Sequence, residues 1–252
     1  MLYLLQYFYI NEWGILRIFK SITMRASIAF VLAFMFMLIF GKPFIAWLKK
    51  KKYGDTAREE GPQSHWSKSG TPTMGGLLII GAILFATFVA GNFTNKFIIF
   101  LFLITILFTT IGFYDDYLKL TKHKKGLSGK KKILGQLIIT SLTFAFIYKF
   151  GIINKEIDFS IVNPVIKNSY LYITPVLFFV FMMFVIIGSS NAVNLTDGLD
   201  GLVSGPIIVV SVTLLIITYL TGHYEYAKYL NLYHVKDAAE MTVYLASVIG
   251  AL

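Results

Sequence analysis

Apolar residues in this chain fall into long unbroken blocks separated by short polar stretches, with no sustained alternation between the two. Blocks of this kind match the ~20 residues a helix needs to cross the hydrocarbon core of a bilayer. The pattern predicts spans over 24–41, 74–92, 97–114, 133–151, 170–188, 202–220 and 240–252, the last cut short at Leu252. In lipid a lone segment can satisfy its backbone only as a helix. The expected fold class is therefore all-α: a polytopic transmembrane helix bundle of about seven spans. No linker or composition shift divides the chain, so residues 1–252 read as one integral-membrane domain. Residues 1–23 carry aromatics and basic residues on a partly amphipathic pattern. They suit either an interfacial helix or a plain lead-in to the first span. The first apolar run, Ala26 to Leu48 with Lys42 and Pro43 inside it, is too long for a signal-peptide core and reads as a retained span.

Composition agrees with this class. Apolar residues make up 56% of the chain and charged residues only 14%, where a soluble domain carries about a quarter. With no cysteine, disulfide, iron–sulfur and zinc–thiolate chemistry are excluded. The net charge of +10 is distributed unevenly. Lys42, Lys49, Lys50, Lys51, Lys52, Arg58 and Lys68 lie between the first two spans, and Lys119, Lys122, Lys124, Lys125, Lys130, Lys131 and Lys132 between the third and fourth. The opposite face has Lys96, then Lys149, Lys155 and Lys167, then Lys228 and Lys236. Basic loops stay in the cytoplasm, so the first two are cytoplasmic, and by parity so is the segment 188–201. The positive charge is thus a topology signal, and a nucleic-acid partner is not expected.

Candidate chemistry gathers on that cytoplasmic side. The third span ends in "TTIGFYDDYLKL", which places Asp115 and Asp116 at its mouth. Neighbouring helical residues point about 100° apart, so one carboxylate can face the bundle while the other faces a cleft. Carboxylates beside a membrane span are costly, and solvation at the headgroup level is their bland alternative. The second element is "GSSNAVNLTDGLDG", residues 188–201, which has no lysine or arginine. Asn191, Asn194, Asp197 and Asp200 recur at threefold spacing, so they share one side of any helical turn. Ordinary turn chemistry explains one Asn-Asp-Gly cluster, but poorly explains six such residues in eleven positions at a membrane edge. Hard carboxylate oxygens facing lysine-rich loops suit Mg²⁺ and phosphates. The residues alone therefore point to Mg²⁺-dependent phosphoryl chemistry at the cytoplasmic membrane surface.

Three strings carry a closer likeness: "SHWSKSGTPTMGG" (64–76), "FYDDYLK" (113–119) and "NAVNLTDGLDGL" (191–202). They resemble the signatures of the bacterial phospho-N-acetylmuramoyl-pentapeptide transferase family, part of the polyprenyl-phosphate N-acetylhexosamine-1-phosphate transferase superfamily. The resemblance implies a ten-span helical enzyme of the bacterial plasma membrane with its active site facing the cytoplasm. It implies transfer of phospho-N-acetylmuramoyl-pentapeptide from UDP to undecaprenyl phosphate, giving lipid I and UMP, with Mg²⁺ as cofactor; it also admits a homodimer. On this likeness Asp115 and Asp116 are the catalytic aspartate pair, and Asn194, Asp197 and Asp200 line the nucleotide-sugar cleft. Lys68 and Thr73 lie near the nucleotide, and Lys132, in preference to Lys131, is the matching lysine of the second basic loop. Asp115, Asp116 and Asp197 are the candidate metal ligands.

The family continues past the seventh span with a Met-Gly-Asp motif holding its main Mg²⁺ ligand, and this chain ends at Leu252. The expectation is a C-terminally truncated chain, inactive by itself. Two other functions stay open: a related N-acetylhexosamine-1-phosphate transferase, which "SKSGTPTMGG" argues against, and a degenerate non-enzymatic membrane protein. Pro72, Gly75 and Gly76 have a plain alternative as the start of the second span and a close-packing surface. The four histidines are scattered, without metal-ligand spacing.

Overall fold

The computed structural model describes residues 1–5, 14–51, 74–121, 126–149, 159–162, 170–196 and 202–252. Seven apolar helices dominate the described residues: α1 Ile22–Lys50, α2 Gly76–Ala90, α3 Lys96–Thr121, α4 Gly129–Lys149, α5 Pro175–Thr196, α6 Ser204–Gly222 and α7 Met241–Ala251. Five of them, all but α2 and α7, are long and apolar enough to cross a membrane. The fold is a helical polytopic membrane bundle, as the block pattern predicted.

Several boundaries differ from the sequence reading, each for a local reason. α1 runs on through Pro43 to Lys50 where a stop near residue 41 was expected, so Lys42, Lys49 and Lys50 are helical and not loop residues. Proline is tolerated within membrane helices because side chains and neighbouring helices re-satisfy the freed carbonyls. The start of α1 is well defined: the Ser21 hydroxyl caps it, accepting the Met24 N–H at 3.5 Å. Lys130, Lys131 and Lys132, read as loop, form the first turn of α4. The stretch 188–196, also read as loop, is the last part of α5. Short elements join the main helices. A 3-10 helix spans Gly14–Lys20, and a small antiparallel hairpin pairs β1 (Ser160–Val162) with β2 (Tyr170–Tyr172) where the fifth span was expected to begin. A Cβ added at Gly75 or Gly76 would meet nothing within 4 Å, so among the described residues no close approach requires glycine at either position.

The core sits where α1, α2 and α7 meet, and it is built largely from alanine. Ala26, Ala29, Ala33, Ala82, Ala86, Ala90, Ala246 and Ala251 are buried together with Ile83 and Val243. Lipid tails are as apolar as side chains, so helix association in a bilayer relies on close backbone approach across small residues. Gly250 shows this directly, because a Cβ there would collide with the Phe30 carbonyl. Polar pegs tie α7 to its neighbours: Thr87 Oγ1 of α2 to Ser247 Oγ at 3.0 Å, and Thr105 Oγ1 of α3 to Tyr244 OH at 2.6 Å.

One end of the bundle is clamped by a buried ion pair. The Arg25 guanidinium, at the start of α1, pairs with both carboxylate oxygens of Glu240, just before α7, with Nη2 to Oε2 at 2.8 Å. Arg25 also donates to the Ala90 carbonyl at 3.2 Å, and Glu240 accepts the Asn92 N–H at 3.0 Å. The ends of α1 and α2, the connection after α2 and the start of α7 are thereby fixed together. By the alternation of the helices, the candidate chemistry lies at the opposite end.

Candidate functional site

Three helices supply the site: the C-terminal turns of α3, the first turns of α4 and the last turns of α5. On α3, Asp115 and Asp116 differ in setting. The Asp115 side chain is 12% exposed and that of Asp116 31%. Lys119, one turn further, places its ammonium 3.0 Å from Asp115 Oδ2 and 3.0 Å from Asp116 Oδ1. Such spacing brings i+3 and i+4 side chains onto one helix face. Just ahead of α4, the Leu127 N–H donates to Asp115 Oδ1 at 2.7 Å.

α4 enters with Lys130, Lys131 and Lys132. Cations at a helix N-terminus oppose the helix dipole, so this end concentrates positive charge and suits an anionic ligand. Lys132 is the lysine that points across to α5, where its ammonium donates to Asn194 Oδ1 at 2.6 Å. The same charge acts on Asp115 through space, so Lys132 links the aspartate pair to the asparagine. One turn along α4, Gln136 is buried at 1% exposure. Its amide donates to Ser190 Oγ at 3.1 Å and accepts from Asn191 Nδ2 at 2.8 Å.

These contacts explain why the polar end of α5 stays helical. Asn191 Nδ2 also donates to the Ile187 carbonyl at 2.8 Å, and Thr196 Oγ1 to Ala192 at 2.8 Å. Polar side chains that bond within their own helix or to Gln136 need not unwind the backbone to find water.

Of the site residues read from the sequence, Asp115, Asp116, Lys132 and Asn194 come together at one end of the bundle. Lys68, Thr73, Asp197 and Asp200 lie outside the described residues. Among the described residues no group of three histidine, cysteine, aspartate or glutamate side chains forms a metal cage. Sequence reasoning passed over Lys119, Gly126, Leu127 and Gln136. Lys119 was readable from its i+3 and i+4 relation to two carboxylates, and Gln136 as a lone amide one turn after Lys132 in an apolar span. A backbone donor such as Leu127 leaves no side-chain signature at all.

Comparison with known proteins places these residues in context. The model of glycosyl transferase family 4 matches residues 97–239. Residues 68–80, which include Lys68 and Thr73, match phospho-N-acetylmuramoyl-pentapeptide-transferase signature 1. The phospho-N-acetylmuramoyl-pentapeptide-transferase of Fusobacterium nucleatum is 45% identical over 246 residues, covering 97% of this chain and 68% of that protein. The transferase of the same name from Thermodesulfovibrio yellowstonii is 37% identical over 253 residues, covering 100% of this chain and 69% of its own length. That of Leptospira biflexa is 40% identical over 255 residues, covering 96% and 68%.

Proposed function

We propose that this chain, which belongs to the phospho-N-acetylmuramoyl-pentapeptide-transferase family, supplies part of the site for that transfer at the cytoplasmic face of the bacterial plasma membrane. The donor is UDP-N-acetylmuramoyl-pentapeptide and the acceptor is undecaprenyl phosphate. A phosphate oxygen of the lipid bonds to the sugar-bearing phosphorus, and the oxygen bridging to UMP leaves with its electron pair. The products are lipid I and UMP.

The observation that carries this reading is the meeting of Asp116, Lys119, Lys132 and Asn194 from three helices at one membrane-proximal end. Each has work to do in phosphoryl transfer, where positioning and charge stabilisation supply most of the catalysis. Lys132 and the α4 N-terminus draw in the pyrophosphate. Asn194 orients Lys132 and offers an amide to the nucleotide sugar. Lys119 keeps the two carboxylates from repelling each other and leaves one N–H of its ammonium for a phosphate oxygen. The site opens at the end of apolar helices, which suits an acceptor whose phosphate sits at the headgroup layer.

The donor set also fits Mg²⁺ in part. Asp116 Oδ2 has no partner among the described residues and is a hard oxygen of the kind Mg²⁺ takes when most other positions go to water and phosphates. Asp116 would hold the ion, with Asp197 as a further ligand expected from the sequence; Asp115, the third ligand expected there, has its two oxygens engaged by Leu127 and Lys119. When bound, the ion would offset the negative charge on the pyrophosphate. The signature match over residues 68–80 supports the muramoyl-pentapeptide donor over other N-acetylhexosamine donors.

The test is UMP release by the product of the complete reading frame in vesicles containing undecaprenyl phosphate. UDP-N-acetylmuramoyl-pentapeptide should support turnover and UDP-N-acetylglucosamine should not. Preference for the second donor would overturn the assignment.

A further inference from the structure

The two aspartates at the end of α3 are held in unequal ways. Both oxygens of Asp115 are engaged, Oδ1 by the Leu127 N–H at 2.7 Å and Oδ2 by Lys119 at 3.0 Å. Asp116 meets the same ammonium through Oδ1 alone. One carboxylate is therefore locked and largely buried, and the other, 31% exposed, keeps an oxygen without a partner among the described residues.

The lock depends on a single unusual residue. Gly126, just before the donor, has a φ of +66°, a left-handed conformation that side chains with a Cβ disfavour. Space demands glycine as well. A Cβ at position 126 would lie 2.6 Å from Asp115 Oδ1, 2.9 Å from Lys119 Cε and 3.0 Å from Lys119 Cγ. Gly129, three residues on, has nothing within 4 Å of its Cβ position. Backbone conformation and close approach thus both single out Gly126, and neither applies to Gly129 at the start of α4.

We infer that Gly126 and Leu127 are positioning residues for the transfer: their turn pins Asp115, Asp115 pins Lys119, and Asp116 is left as the carboxylate presented to phosphate and cation. The catalytic consequence rests on the transferase reading above; the anchoring itself does not. A carboxylate that accepts a backbone N–H on one oxygen and an ammonium on the other is fixed in orientation at both ends, with about half of its lone-pair sites taken. Its role is to hold the neighbouring groups at fixed distance, which matters because small displacements of reacting groups cost rate steeply.

The experiment compares Gly126→Ala, Gly129→Ala, Asp115→Asn and Asp115→Ala with the parent. Amide exchange at Leu127 is read by fragmentation mass spectrometry on the membrane-embedded chain, with the α2 and α7 amides as a check on folding. Gly126→Ala should speed Leu127 exchange by about tenfold or more, and Gly129→Ala should leave it unchanged. Asp115→Asn keeps an oxygen for the Leu127 N–H and should retain protection that Asp115→Ala loses.

In the product of the complete reading frame, Gly126→Ala should lower kcat by about tenfold or more while the KM for the UDP substrate stays within about twofold. Asp115→Asn should keep clearly more kcat than Asp115→Ala. Unchanged exchange in Gly126→Ala would sink the inference, as would faster exchange with kcat intact or a loss confined to KM. Equal damage from Gly129→Ala would do the same. If Gly126→Ala disturbs the α2 and α7 amides, the Asp115 pair of variants decides the matter. A parent protein that releases no UMP would count against the transferase reading, and the exchange measurements would still decide whether Gly126 holds Asp115.

Discussion

The ammonium of Lys132 lies 2.6 Å from Oδ1 of Asn194, a residue 62 positions further along the chain. The contact crosses from the first turn of α4 to the last turns of α5 and joins two of the polar positions that stand out in the sequence. Gln136 extends the seam one turn deeper by holding Ser190 and Asn191. The orientation of Asn194 is therefore set by α4 as well as by its own helix.

Lys132 and Asn194 should act as one unit toward the nucleotide substrate. Lys132→Ala and Asn194→Ala should each raise the KM of the UDP donor by roughly tenfold. The double variant should fall well short of the product of the two, because contacting residues are not additive. Steady-state kinetics on the two single variants and the double variant measures the coupling, and full additivity would separate them.

Asp116→Asn changes one oxygen to an amide nitrogen and removes the charge of the more exposed carboxylate. Turnover should fall by about 10²–10³, the loss expected when one electrostatic contact to the transferring group is removed. Protein yield and the exchange pattern of the bundle should be unaffected. Near-normal turnover at saturating Mg²⁺ would move the chemistry away from this residue.

Gln136→Leu keeps the approximate volume and removes both hydrogen bonds. Ser190 and Asn191 would lose their α4 partner, at a cost of about 1–3 kcal/mol if they find no water. Hydrogen exchange over residues 189–196 should accelerate while the α1–α2–α7 core stays protected. Uniform behaviour along α5 would mean that the polar end holds itself helical without Gln136.

Arg25 and Glu240 anchor the other end of the bundle, so their effect should be on stability and not on chemistry. Removing one member of a buried pair strands the other, which costs about 3–5 kcal/mol. Arg25→Ala should therefore lower the apparent Tm in detergent by about 10 °C. The Arg25→Leu, Glu240→Leu double change should cost less than the two single losses combined. A thermal shift assay on the three variants distinguishes this from strict additivity.

Sidedness is open to a labelling test. Cysteines placed at Ser128 and at Leu195, which is 85% exposed, should react with an impermeant thiol reagent from one side of the membrane. One at Tyr229, 84% exposed, should react from the other side. The lysine distribution predicts that the first side is the cytoplasmic one. Labelling of positions 128 and 195 from opposite faces would be incompatible with a shared site.

The class of the protein, and the gathering of polar groups at the ends of its apolar helices, were legible in the sequence. Hydrophobic block length and the placement of lysines are local, additive signals, and lipid leaves the backbone few alternatives to a helix. The aspartate pair and Asn194 stood out for the same reason, as polar groups at the edges of apolar blocks. What each of them touches was decided only in three dimensions. Helix ends shifted because Asn191 and Ser190 found a partner in Gln136, and no local pattern reveals a partner 54 or 55 residues away. The unequal holding of Asp115 and Asp116 follows from the path of the backbone through Gly126 and Leu127. Composition, periodicity and spacing all treat the two aspartates alike, whereas the left-handed turn delivers its N–H to one of them alone.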